Sequence, residues 1–172
     1  MNLGEAERRL ANPEVGDDPY KLLLLLGREG GPRYRRTVES FLQCEDDPML
    51  ARLALLILCR YWSMYDEYRS EILQFSRGVV WDDEDDVRVL ALACAGHLGR
   101  EGDVEALRLL ARVFRQASES WVIRDIAYRA LETAFGRDSS EQPPASRRLT
   151  SDDLDPEVVA WAVSLVSDDG RP

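Results

Sequence analysis

The residue types that most often carry out chemistry are few in this chain and do not form a catalytic pattern. His97 is the only histidine, and a catalytic histidine needs a nucleophile or a carboxylate within reach. The sequence contains no Gly-x-Ser-x-Gly, P-loop, Cys-x-x-Cys or His-Glu-x-x-His motif. Because Cys59 and Cys94 fall on apolar helix faces, a zinc site is not expected. The sequence therefore predicts no enzyme activity, no metal and no cofactor.

Acidic residues cluster at the predicted starts of helices. The runs cover residues 17–18, 45–47, 82–86 and 152–153. Carboxylates at helix N-termini cap free N–H groups and complement the helix dipole, each contributing ~0.3–2 kcal/mol. Five consecutive acids at 82–86 exceed one cap, so we also expect Asp82, Asp83 and Asp85 to attract a basic partner. Calcium is disfavoured because this run lacks the spaced carboxylates and glycine of an EF-hand loop.

Two other groups of side chains are candidates for contact with a partner. Tyr61 and Tyr65 lie off the apolar stripe of a predicted helix, and tyrosine is enriched in binding hot spots. The alternative is that they belong to the aromatic core. Arg108, Arg112 and Arg115 recur at i, i+4 and i+7. We interpret this arginine stripe as a solvated helix face, with a phosphate or acidic-partner contact as the alternative.

Charge and cysteine content limit the partners and the compartment. The formal net charge of −10 opposes sequence-independent binding to nucleic acid and favours a basic protein partner. Three cysteines are an odd number, which indicates free thiols in a reducing compartment. The N-terminus lacks the apolar core of a signal peptide, and the longest aliphatic run, 22–26, falls far short of the ~20 residues of a membrane span. We expect a cytoplasmic monomer that does not bind membranes.

A repeat organises the chain. Arg52, Arg88 and Arg124 recur at a spacing of 36 residues, and apolar columns recur with them. These columns hold Ala51, Val87 and Ile123; Leu55, Ala91 and Ala127; Leu58, Cys94 and Ala130; and Trp62, Leu98 and Ala134. A period between 20 and 50 residues is typical of stacked-repeat proteins. We therefore expect an all-α fold, a short right-handed α-solenoid of antiparallel helix pairs, in which Leu58, Trp62, Cys94, Leu98 and Leu131 are largely buried.

Apolar periodicity and turn residues set the expected elements. Helices are predicted at 19–27, 33–43, 48–63, 67–77, 83–99, 103–116, 120–135 and 156–167. We expect a repeat domain over 1–136, clearest over 33–136, and a linker or exposed loop over 137–153 that is mobile at 138–150. Residues 154–172 then form a C-terminal helix and tail. This helix is apolar nearly all round, so it must be covered and is expected to cap the last repeat.

One stretch carries a family resemblance. Its motifs are Asp86-Val87-Arg88, Ala91, Ala95, His97-Leu98-Gly99, Gly102-Asp103, Ala106-Leu107 and Leu110. This pattern resembles HEAT-like repeats, and a weaker match extends the resemblance to about 33–136. The resemblance implies that helices 48–63, 83–99 and 120–135 line a concave face and that 33–43, 67–77 and 103–116 form the convex face. A plain α-helical bundle is the alternative fold.

The implied phasing exposes three columns on the concave face. They are Ile57, Ala93 and Arg129; Arg60, Gly96 and Glu132; and Tyr61, His97 and Thr133, with Tyr128 beside them. We expect a non-catalytic protein-binding module that engages its partner through the groove on this concave face. The aligned helix starts with their acidic runs would add an acidic rim that contributes to binding. The predicted contact residues are Arg60, Tyr61, Tyr65, His97, Tyr128, Arg129, Glu132, Asp82, Asp83 and Asp85.

Three alternative functions follow from the same features. The first is an acidic immunity protein or inhibitor that neutralises a basic toxin such as a nuclease. The second is a purely structural role inside a larger assembly. The third is a HEAT-like DNA glycosylase, which the net charge and the lack of clustered basic residues on the inner face disfavour.

Overall fold

The computed structural model describes residues 2–137 and 147–167, and these contain helices and turns but no β-strand. This confirms the all-α prediction. The α-helices are α1 (Leu3–Ala11), α2 (Pro19–Leu25), α3 (Arg35–Glu39), α4 (Pro48–Leu55), α5 (Arg69–Ser76), α6 (Asp86–Arg100), α7 (Val104–Arg115), α8 (Trp121–Phe135) and α9 (Pro156–Ser167). π-helical turns at Leu26–Gly30 and Leu56–Tyr61 continue α2 and α4, and 3-10 turns lie at Pro32–Tyr34 and Ser151–Asp153.

The predicted helices are present, with differences at their ends. The helix expected at 33–43 is the shorter α3, because the chain enters it through a 3-10 turn and leaves it through i+3 turns at Phe41 and Leu42. Sequence reasoning missed α1, which buries only Ala6 and Leu10 among charged residues. Asn2 begins this helix by accepting a hydrogen bond from the Glu5 N–H at 2.8 Å.

The chain divides into two compact units. The first unit comprises the described residues of Met1–Tyr68 together with Gly78–Leu90, and the second comprises those of Arg69–Arg77 and Ala91–Pro172. Helix α6 therefore contributes its first residues to one unit and its remaining residues to the other. The stacking of helix pairs into a solenoid stays a prediction.

The core of the first unit forms where α2 packs against α1 and α4. The fully buried side chains include Leu23, Leu26, Leu55, Leu58 and Cys59. The predicted burial of Leu58 is confirmed. Trp62 is partly rather than fully buried, and it lines a surface pocket.

The core of the second unit forms around α7, which packs against α8 and α9. The buried side chains include Cys94, Leu98, Leu110 and Leu131. The predicted burial of Cys94, Leu98 and Leu131 is confirmed. Helices α6 and α8 approach so closely that a methyl group on Gly96 would lie 2.8 Å from the carbonyl oxygen of Ala130. Only glycine fits this crossing without a backbone shift.

Several polar contacts hold α9 and the segment before it. The backbone N–H of Asp155 donates to the Tyr128 hydroxyl at 2.6 Å, and Arg137 pairs with Asp155 at 2.5 Å. Val158 and Ala162 are buried, whereas Val163 is 40% exposed. Residues 138–146 of the predicted mobile linker lie outside the described residues. In the rest of the predicted linker, the Leu149 N–H donates to Asp125 of α8 at 2.7 Å.

The close approach of α6 and α8 gives a stability prediction. Gly96→Ala places a methyl group against backbone, and such overpacking costs about 1–3 kcal/mol. We expect a lower midpoint in thermal and urea unfolding. Gly4→Ala is the matched control because its methyl group would meet Asn2 Oδ1 at an ordinary 3.7 Å, so helix propensity should make it neutral or stabilising. An unchanged midpoint for Gly96→Ala would contradict the packing of α6 on α8.

Candidate functional site

Two helices of the first unit end in the same unusual way. Both α2 and α4 continue into π-helix, at Leu26–Gly30 and Leu56–Tyr61. The wider i→i−5 bonding of the second turn is visible where the Trp62 N–H donates to the Ile57 carbonyl at 3.0 Å. π-helical turns are rare and occur frequently at functional sites. Two of them in one unit are therefore the first place to look for function.

The two π-helical turns are packed and hydrogen-bonded to each other. A methyl group on Gly27 would lie 2.5 Å from Ile57 Cγ1, so glycine is required for this contact. The Trp62 Nε1–H donates to the Gly27 carbonyl at 2.9 Å. The indole thereby satisfies one of the carbonyls that a helix C-terminus leaves without an intrahelical partner.

An open pocket of about 660 Å³ lies between these turns. We call it the first pocket. Its lining residues are Gly27, Arg28, Glu29, Gly30, Gly31, Arg60, Tyr61 and Trp62. Gly31 has a φ of +71°, a conformation that favours glycine. Arg28 and Arg60 lie in the last turns of the two helices, where a cation complements the negative end of the helix dipole.

The first pocket offers polar groups and aromatic rings. Tyr61 is 41% exposed, and Arg28 and Arg60 are exposed. Within residues 2–137 and 147–167, neither arginine forms an ion pair. Glu29 adds one exposed carboxylate. The arrangement therefore supplies hydrogen-bond donors, one carboxylate, hydroxyl and backbone carbonyl acceptors, and stacking surfaces, which suit binding.

The structure distributes the predicted contact residues between the two units. Arg60 and Tyr61 line the first pocket, and Tyr65 is half-buried a few residues further along the same unit. His97 and Arg129 are half-buried in the second unit.

The exposure predicted for Ile57 and Gly96 is wrong, because both are buried. At Ile57 the reason is its packing against Gly27, where an added methyl group would lie 2.5 Å from Ile57 Cγ1. At Gly96 the reason is the close contact with Ala130 described above.

The predicted exposure of Tyr128 and Glu132 is also wrong. Tyr128 is 1% exposed and Glu132 is 9% exposed, because the segment leading into α9 covers this part of α8. The Tyr128 ring packs against Phe114 with centroids 5.2 Å apart. Burial raises the pKa of both Tyr128 and Glu132 above their ordinary values. These two residues therefore belong to the interior of the second unit.

The acidic run 82–86 divides into a cap and an exposed part. Asp82 is 6% exposed, and its Oδ2 accepts the N–H groups of Val87 and Arg88, each at 3.0 Å. Asp85 is half-buried at a φ of +60°. Asp83 and Glu84 are exposed, so they are the carboxylates of this run that are most accessible to a partner. No three acidic, histidine or cysteine side chains in the described part of the chain form a metal-binding group.

Sequence reasoning missed the 27–31 half of the first pocket. The available signal was Gly-Arg-Glu-Gly-Gly at 27–31, since three glycines in five residues indicate an irregular backbone or a close approach. The predicted arginine stripe is partly right as a solvated face: Arg112 and Arg115 are exposed, but Arg108 is half-buried.

Comparison with known proteins gives no match. No protein-family model fits the sequence, and no curated protein or solved structure matches it. The resemblance to HEAT-like repeats therefore depends on the quoted residues alone. Among the described residues, no helix combines the length and the apolar composition needed to cross a bilayer.

The cap formed by Asp82 gives a prediction that separates it from its neighbour. Asp82→Ala removes the acceptor for two buried or half-buried N–H groups, and loss of a helix cap costs about 0.5–2 kcal/mol. Asp83→Ala changes an exposed side chain and should stay within about 0.5 kcal/mol of the parent. Urea unfolding of both variants measures the difference. Equal midpoints would contradict the capping role.

The buried carboxyl of Glu132 gives a pH prediction. Its folded pKa is raised above 4.5, mainly by burial, so the unfolded chain loses this proton at lower pH than the folded chain does. Ionisation of Glu132 therefore destabilises the fold as pH rises above its ordinary pKa of 4.5. Glu132→Gln should raise the melting temperature at pH 7 and have a much smaller effect below about pH 4. Glu101→Gln, at an exposed position, is the control and should leave the melting temperature unchanged both at pH 7 and below about pH 4.

Proposed function

We propose that this chain is a non-catalytic protein-binding module whose docking site is the first pocket. One observation carries the proposal: two helices each end in a π-helical turn, and the two turns form the walls of one pocket. A π-helical turn interrupts regular α-helical bonding, so its presence twice around one surface favours a functional reason.

The composition of the first pocket supports docking of a protein. Binding hot spots are enriched in tyrosine, tryptophan and arginine and are surrounded by polar residues. Tyr61 and Arg60 combine these types with exposure. The hydrogen bond from Trp62 to Gly27 fixes the ring beside them, which lowers the entropy that binding would otherwise cost.

Charge outside the pocket supports a basic partner. The net charge of −10 attracts a cationic protein at long range, and Asp83 and Glu84 are exposed carboxylates of the same unit. An acidic inhibitor that neutralises a basic toxin is the specific version of this function that the charge favours. These carboxylates would mainly raise the association rate, while the pocket would set the lifetime of the complex.

Site-directed photo-crosslinking tests the docking site. A photoreactive phenylalanine analogue is placed at Tyr61 in the full chain and expressed in the native host. The matched control carries it at Tyr20, a tyrosine of similar exposure in the same unit. We expect one defined protein to crosslink at position 61 and not at position 20. Equal crosslinking at both positions, or none at position 61, would rule out the pocket as the docking site.

Binding kinetics of the identified protein then separate the contributions. Tyr61→Ala should speed dissociation by about tenfold or more at any salt concentration. Asp83→Asn combined with Glu84→Gln should slow association at low salt and have little effect at high salt. Arg60→Ala should weaken binding, whereas Arg36→Ala, an exposed arginine on α3, should not. Parental kinetics for Tyr61→Ala and Arg60→Ala together would refute the proposal.

A further inference from the structure

A second pocket, of about 210 Å³, lies in the second unit, where residues 147–154 lie against the start of α8. It is independent of the proposed docking site. Its lining residues are Phe114, Trp121, Arg124, Asp125, Arg148, Leu149, Thr150, Ser151 and Leu154. A cavity of ~150 Å³ already binds benzene, so this space admits a small organic molecule.

Hydrogen bonds hold the wall of the second pocket and occupy the nearby carboxylates. Asp125 Oδ2 accepts the Leu149 N–H at 2.7 Å. Asp153 accepts the backbone N–H and the hydroxyl of Thr150, each at 2.8 Å, and pairs with Arg147 at 2.5 Å. One oxygen of Asp125 and both oxygens of Asp153 are therefore already engaged by the protein itself.

The guanidinium donors of the second pocket are less fully used. Arg124 Nε donates to the Phe114 carbonyl at 3.0 Å, which fixes the side chain and leaves its two Nη groups. The Arg148 guanidinium lies 5.9 Å from the centre of the Trp121 ring, and across the described ranges it forms no ion pair or hydrogen bond. Two arginines against one engaged carboxylate give the pocket a surplus of positive charge and of donors.

Aromatic rings supply the rest of the lining. Phe114 is half-buried. Trp121 is 42% exposed and is the first residue of α8. The N-terminus of a helix carries partial positive charge, so Trp121 also places a π-face where an anion is favoured. A ring stacked there would meet a flat apolar surface, and a carboxylate on that ring would meet guanidinium groups.

We propose that the second pocket binds a small aromatic carboxylate. Its ring lies against Trp121 and Phe114, and its carboxylate accepts hydrogen bonds from Arg124 and Arg148. Guanidinium groups match the planar geometry of a carboxylate with paired donors. The Trp121 ring that lies near the Arg148 cation also offers an apolar surface to the ring of the ligand. An amine group on the ligand would be repelled by the same two arginines.

Calorimetric titration of the full chain with benzoate tests this assignment. Benzamide keeps the ring but removes the charge, and acetate keeps the charge but removes the ring. We expect saturable binding of one benzoate per chain. Benzamide should bind about tenfold more weakly or worse because it loses the charge-assisted hydrogen bonds, and acetate should do so because it lacks the ring that packs against Trp121 and Phe114. Comparable affinity for benzamide, or no saturable heat with benzoate at millimolar concentration, overturns the proposal.

Variants locate the bound benzoate. Arg148→Gln and Trp121→Leu should each weaken benzoate binding by about tenfold. Arg115→Gln, an exposed arginine on α7 outside the pocket, should leave it unchanged. Arg124→Gln also removes the bond to Phe114, so its folding is checked by circular dichroism, and the exposed Arg148 supplies the decisive variant. Parental affinity for Arg148→Gln and Trp121→Leu overturns the proposal. Tyr61→Ala should bind benzoate normally, which separates this site from the docking site.

Discussion

The hydrogen bond from Trp62 Nε1 to the Gly27 carbonyl is the interaction on which the candidate docking site depends. It joins the ends of two helices at the point where both have left regular α-helical bonding. The neighbouring contact of Gly27 with Ile57 leaves no room for a side chain, so the two turns have one arrangement. The backbone of 27–31 and the side chains of 60–62 then face one space. Without this hydrogen bond and this contact, nothing would hold Tyr61 and Arg60 opposite the backbone of 27–31.

The helices could be predicted from the sequence because their signals are local and repeated. Apolar spacing locates α6, α7 and α8 to within three residues at each end, and Asp103 and Ser120 cap the last two as their residue types suggest. The π-helical turns could not be predicted in this way. Where the two turns meet, a glycine on one leaves room for an isoleucine of the other, and that contact joins residues far apart in the chain.

The candidate site shows the same division between local and distant causes. The exposure of Arg60 and Tyr61 could be predicted, because both lie off the apolar stripe of their own helix. The burial of Tyr128 and Glu132 could not, since it depends on Asp155 and the start of α9 crossing α8 beyond a long polar stretch. Asp82 is intermediate: an acidic run indicated a cap, but which carboxylate turns inward depends on the loop that places Asp85 at positive φ.

Net charge and local charge describe different stages of recognition in this protein. Many of its carboxylates are held by caps or ion pairs: Asp47, Asp82 and Asp103 cap helices, and Glu105 pairs with Arg69 and Arg77. Their charge still acts at long range, where a net −10 favours encounter with cationic molecules. At contact distance the two pockets instead present arginine donors beside aromatic rings. The long-range field therefore favours the approach of a basic partner, whereas the binding of an anion in the second pocket depends on contact-range donors and ring faces that act against this field.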